Sequence, residues 1–151
     1  MANDNTLHVE VVTAERELYN GEADMVVAPG SEGQFGVLPR HAAMLALLQS
    51  GELRIELNGQ EEPIFVSGGF LEVSDNRVII LADTAEHAEE IDEARAQEAR
   101  RRAEERLAQA ESNEERAELH AALLRAMNRL RVAEVVRRGG RRRINMPGSE
   151  Q

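Results

Sequence analysis

Polar and apolar residues alternate with period two through the first half of the chain. LHVEVV (7–12) and ELRIEL (52–57) both read as half-buried strands. In the second, Leu53, Ile55 and Leu57 point one way, and Glu52, Arg54 and Glu56 the other. Asn58-Gly59 then supplies the two positive φ angles of a tight hairpin, and EPIFV (62–66) returns. Pro63 has no N–H, which puts the start of that strand at an edge or a bulge. FLEV (70–73), the turn 74–76 and RVIILA (77–82) predict a further hairpin, and DMVVA (24–28) and FGVL (35–38) add short strands. Turn residues recur roughly every eight to twelve positions, which is the pattern of an all-β sandwich or barrel.

Near residue 84 the period changes. From about residue 92 to 110 the chain is nearly all Glu, Arg, Gln and Ala, a helix pattern that the segment 111–115 interrupts. A second helix is predicted from about 114 to 137. No long linker separates them, so they fold back as an antiparallel hairpin. Ala96, Ala99, Ala103, Leu107 and Ala110 form one stripe; Leu119, Leu123, Met127, Leu130 and Ala133 or Glu134 form the other. A buried methylene contributes only about 0.8 kcal/mol, and ordering the backbone costs roughly 1–2 kcal/mol per residue. A hairpin with an alanine stripe is therefore of marginal stability. The domains implied are a sandwich (1–86), a helical hairpin (87–138) and a flexible basic tail (139–151).

Charge refines this picture. The formal net charge is −10 and every basic residue is arginine. Residues 1–84 carry −10, residues 85–136 carry −4 and residues 137–151 carry +4. The acidic whole argues against nucleic-acid binding. The absence of cysteine excludes disulfides and thiolate metal sites. The longest apolar run, 42–48, is too short to span a bilayer, and no signal peptide is visible at the start. These features point to a soluble cytoplasmic chain.

Candidate chemistry is sparse. IDEARA (91–96) has the form of a helix start: Asp92 as N-cap, Ile91 before it to pack on Ala96, and Arg95 placed to pair with Asp92. Asp92, Arg95 and Arg102 share a helix face, as do Arg125 and Arg129 on the second helix. If those faces meet, four guanidinium groups converge and require an anion such as a polyphosphate. The alternative is neutralisation by Glu98, Glu105 and Glu118 on a wet surface. GSEGQFGVLPRH (30–41) is glycine-rich but lacks the Lys-Ser/Thr helix start of a phosphate loop, so it reads as a strained turn, with His41 a turn or interface residue. GGF (68–70) marks a bulge or close backbone approach. The histidines show no metal spacing, and no nucleophile set suggests an enzyme.

Taken in order, GSEGQFGVLPRHAAML (30–45), SGGFLEV (67–73), VIILADTAE (78–86), IDEARA (91–96) and LRAMNRLRVAE (124–134) resemble the epsilon-subunit family of F-type ATP synthase. The resemblance spans residues 6 to about 136. It implies a ten-stranded β-sandwich followed by two helices, in a non-catalytic subunit at the foot of the central stalk. Partners would be the gamma subunit and the c-ring, with contacts at Glu32, Gln34 and His41. The alpha and beta subunits would be met when the helices extend and restrain ATP hydrolysis. Membrane association, at the cytoplasmic face, would come only through the complex. No cofactor is required. ATP is implied as a regulatory ligand of the folded hairpin, held by Glu86, Ile91, Asp92, Arg95, Ala96, Arg102, Arg125 and Arg129. The 91–96 segment would take the adenine end, and Arg102, Arg125 and Arg129 the phosphates. A second reading makes ATP sensing the main role. The tail departs from the family pattern by its length and basicity; charge alone suggests that Arg137, Arg138 and residues 141–143 meet acidic groups on the beta subunit.

Overall fold

The computed structural model describes residues 5–138 together with Ile144. Ten strands precede a single 3-10 turn and two helices. One run of pairing, β10-β7-β6-β3-β5-β8-β9-β1-β2, with β4 (Gly33–Val37) added to β3, links all the strands. β1 (Leu7–Val12), β3 (Met25–Gly30), β6 (Gly51–Leu57) and β7 (Gln60–Val66) are among the most buried. β3 meets β5 (Met44–Leu48) through only one pair, Gly30 and Leu48. There the sheet folds over, so β10-β7-β6-β3-β4 and β5-β8-β9-β1-β2 form the two layers of a sandwich. β10 (Ala85–His87) also approaches β2 (Glu17–Ala23), which nearly closes the sandwich into a barrel. Leu7, Val9, Val11, Leu53, Ile55, Ile64, Leu71 and Ile80 fill the interior and are fully buried.

The turn chemistry explains the registers. Asn58 and Gly59 have φ of 52° and 76°, and Leu57 pairs with Gln60 across them. Asp75 and Asn76 adopt φ of 49° and 59° between β8 (Gly69–Ser74) and β9 (Arg77–Ala82), so the same two-residue turn is made without glycine. Pro63 sits opposite Arg54, while β10 covers β7 only from Ile64 onward. It therefore lies where β7 is an edge, as a proline must.

The helices are α1 (Glu93–Gln109) and α2 (Asn113–Arg138). The Ser112 hydroxyl accepts from Glu115 N at 3.1 Å, and the Glu115 carboxylate accepts from Glu111 N. These bonds satisfy amides left open at the start of α2. The two helices pack together, and α2 lies on β6, β7 and the 3-10 turn Ala88–Glu90. The buried stripe is Ala96 and Ala103 on α1 and Ala110 at its C-cap, while Ala99, expected in the stripe, is exposed. Three close alanines let α2 approach, and the next position round the helix turns to solvent. The expected tail, 139–151, lies outside the described residues except for Ile144, which is buried within the main core.

Candidate functional site

The hairpin rests on the sandwich through a small second core of Phe65, Ala88, Ile91, Val132 and Ala133, with Val136 against it. Phe65 lies on β7 between Ile64 and Val66, which face the sandwich interior; it points outward and is nevertheless fully buried. Arg129 lies over its ring, 4.9 Å from the centroid, a cation–π contact. Arg129 Nε also stands 3.0 Å from the Glu86 carboxylate on β10. That contact is a charge pair without hydrogen-bond geometry, and both atoms are buried and unsatisfied within the protein. The pair sits at the junction of hairpin and sandwich, where a ligand oxyanion would compete with Glu86 for the guanidinium.

Around this point the expected residues distribute unevenly. Asp92 Oδ1 accepts from Arg95 N at 3.1 Å, so Asp92 is the N-cap of α1. The Arg95 side chain is exposed and makes no ion pair among the described residues. Ile91 and Ala96 are buried. Arg102 pairs with Glu98 at 3.5 Å and is 68% exposed. Arg125 faces a cleft between α2 and the sandwich. The four arginines therefore have four different surroundings rather than one shared anion-requiring cluster. The helix wheels set the faces, but Glu98 and Glu86 claim two of the guanidiniums. Glu105 pairs instead, at 2.7 Å, with Arg101, which is not one of the four.

Other ties act within the hairpin and between it and the sandwich. Asn128 Nδ2 donates to Ser50 O at 3.2 Å and lies 3.1 Å from its hydroxyl. Arg137 pairs with Glu93 across the hairpin at 2.9 Å, and Arg138 pairs with Glu134. Arg16 donates to Glu90 at 3.1 Å. That hydrogen bond holds the Glu90 carboxyl below its usual range, so the tie is complete above ordinary carboxylate pKa values and is lost as pH falls through the depressed one. Phe65 and Asn128 were missed in the sequence. A phenylalanine on the outward parity of a strand was the available signal for the first; Asn128 gave none.

Glu32 and Gln34 are exposed at the β3–β4 tip and border a shallow groove with β5. His41 is half-buried in the following turn, where its N donates to Leu38 O. Beyond this tip, Leu47, Phe70 and Leu81 stand in register across β5, β8 and β9, all more than half exposed, with Leu45 beside them at 70%. No helix among the described residues is long and apolar enough to cross a membrane.

Comparison with known proteins settles the family. Residues 6–88 match the family described as ATP synthase, Delta/Epsilon chain, beta-sandwich domain, and residues 89–134 match its long alpha-helix domain. The chain belongs to the ATP synthase epsilon chains. It is 48% identical over 139 residues to the epsilon chain of Alkalilimnicola ehrlichii, covering 91% of this chain and 99% of that one. It is 51% identical over 131 residues to that of Herpetosiphon aurantiacus, covering 87% and 96%. The fold also resembles a chain in the cryo-EM structure of Euglena gracilis mitochondrial ATP synthase. There the TM-score is 0.73 at 24% identity, over 82% of this chain and 79% of that one. As an epsilon chain, the protein is a non-catalytic subunit of the F-type enzyme and serves ATP synthesis and proton transport. The ten strands and two packed helices are those expected of the family.

Proposed function

We propose that this epsilon chain turns with the central stalk, joining the gamma subunit to the c-ring at the cytoplasmic face of the membrane, and that its hairpin governs ATP hydrolysis. The row Leu47, Phe70 and Leu81 carries the stalk reading. A sheet face of large apolar side chains is unstable against water and marks a protein interface. The gamma subunit covers that row, while the β3–β4 tip with Glu32, Gln34 and His41 meets the c-ring. The Euglena structure, described as containing the c-ring, is consistent with this placement. Phe70→Glu with Leu81→Glu leaves the fold intact, because both side chains point outward. Copurification of gamma with the double variant falls to background; undiminished copurification removes the proposed contact.

The regulatory half concerns the docked hairpin. Its contact with the sandwich is thin, and its central ion pair, Arg129 with Glu86, is a single contact. ATP fits this arrangement as a closing ligand. Its phosphates take Arg129 from Glu86 and draw in Arg125, and Arg102 leaves Glu98 cheaply because an exposed ion pair is worth under about 1 kcal/mol. The 91–96 segment takes the adenine end. Without ATP, the hairpin swings out toward the alpha and beta subunits and restrains hydrolysis.

A further inference from the structure

Ile144 lies beyond the end of α2, and its side chain is only 5% exposed. It joins the main core of the sandwich, not the second core beneath α2. The end of the chain is therefore fastened to the sandwich at two separate places: through Val132 and Ala133 on the helix, and through Ile144 after it. The second fastening is this chain's own, since Ile144 lies outside the residues, 89–134, that match the family's helix domain.

The sequence around Ile144 offers it no local cover. Two glycines and three arginines (139–143) separate it from Arg138, the last residue of α2, and an asparagine follows it. None of these is an apolar side chain, so what buries Ile144 is the sandwich. The span is also short. From Arg138 to Ile144 the backbone reaches at most about 20 Å, even fully extended. The 26 residues of α2 make a rod of about 39 Å. While Ile144 is seated, the end of that rod stays within the shorter radius of the seat, even if the helix lifts from β6 and β7. A swing that carries the hairpin clear of the sandwich must first draw Ile144 into water.

We infer that Ile144 is the anchor of a leash, seated in the sandwich core and limiting how far the helical hairpin opens. The inference rests on the reading of the hairpin as a moving element, but not on ATP. Exposing one buried aliphatic side chain changes an equilibrium about tenfold or more. The leash therefore lowers the ratio of open to closed hairpin by that factor, in addition to the contacts that α2 makes itself.

The test uses the full-length chain without nucleotide, spin-labelled at Glu15→Cys on the β1–β2 turn and at Arg131→Cys, an exposed residue of α2. Ile144→Ser is expected to raise the ratio of the long to the short distance component about tenfold or more. Ile144→Leu, which keeps an apolar side chain of the same size, leaves the ratio within about twofold. A flexible insert of about ten glycine and serine residues between Gly140 and Arg141 lengthens the leash. It raises the ratio although Ile144 is still present. Amide spectra of β1, β8 and β9 report whether the sandwich of each variant is intact. An unchanged ratio in Ile144→Ser overturns the inference. So does a loss of the sandwich signals in that variant, which makes Ile144 an ordinary core residue, or an insert that changes nothing. Because ATP is left out, failure here leaves the ATP reading of the hairpin untouched.

Discussion

Phe65→Ala releases the helical hairpin and leaves the sandwich folded. Phe65 belongs to the second core, not the first. Its removal deletes the largest side chain between hairpin and sheet and the ring beneath Arg129. Burial and cavity terms together put Phe→Ala losses at about 3–5 kcal/mol. What remains of the second core is three aliphatic side chains and two alanines. The polar ties to the sandwich, Asn128 to Ser50 and Arg129 to Glu86, are few and partly exposed, each contributing about 1 kcal/mol. The loss is therefore comparable with everything that holds α2 down. Hydrogen exchange reads this directly: the α2 amides lose protection while those of β1, β8 and β9 keep theirs. A uniform loss across strands and helices would mean that the hairpin is integral to the sandwich core.

Gly69→Ala has a larger effect, and on the sandwich itself. Gly69 opens β8 at φ +138°, a region that side chains rarely adopt. A Cβ built there would lie 2.1 Å from Leu81 O and 2.9 Å from Ala82 Cα, both on the backbone of β9. Neither atom can rotate away, so β8 must leave β9. A strained φ costs about 1–3 kcal/mol, and breaking the register adds more; we expect a loss at the upper end of single substitutions, about 4–5 kcal/mol. The neighbouring Gly68→Ala separates the two causes. Gly68 has nearly the same φ, +137°, but its Cβ would meet the movable Asp83 carboxylate at 3.1 Å. Denaturant midpoints should fall in the order native, Gly68→Ala, Gly69→Ala. Equal losses for the two would show that φ alone matters and that the close approach of β8 to β9 is not limiting.

Most of this fold was legible because local chemistry and burial agreed. Asn58-Gly59 announced its hairpin, and the parity of Leu53, Ile55 and Leu57 gave the inward face. Three strands were not foreseen. β5 lies within the continuous apolar run 42–48, yet its exposure alternates. Its outward face is itself apolar, so burial for a partner erases the period of two that a solvent-facing strand would show. β2 contains Asn20-Gly21, which reads as a turn; as the outermost strand beyond β1 it tolerates the weak glycine. β10 has only three residues, too few for any pattern. At the site, Asp92 as helix cap was plain from its neighbours. The partners of Arg129 were not, because Glu86 and Phe65 reach it through the rotation of α2 on the sheet, which helical periodicity does not specify. For the same reason the wheel brought four arginines together, whereas the fold sends Arg125 toward the sandwich and Arg102 to Glu98.

The account turns on a hairpin that is held loosely and closed by ATP. A ligand at a hundred times its Kd stabilises the state that binds it by about 2.7 kcal/mol, enough to reverse a balance of one or two kcal/mol. The chain has no cysteine, so spin labels at Glu15→Cys and Glu114→Cys are the only two attached, one on the β1–β2 turn and one at the start of α2. Their distance distribution, measured with and without ATP, is the most direct test. A short distance should dominate with ATP, a second and longer one should grow without it, and Arg129→Gln should remove the response. A distribution indifferent to ATP, or a response that survives in Arg129→Gln, would contradict the account.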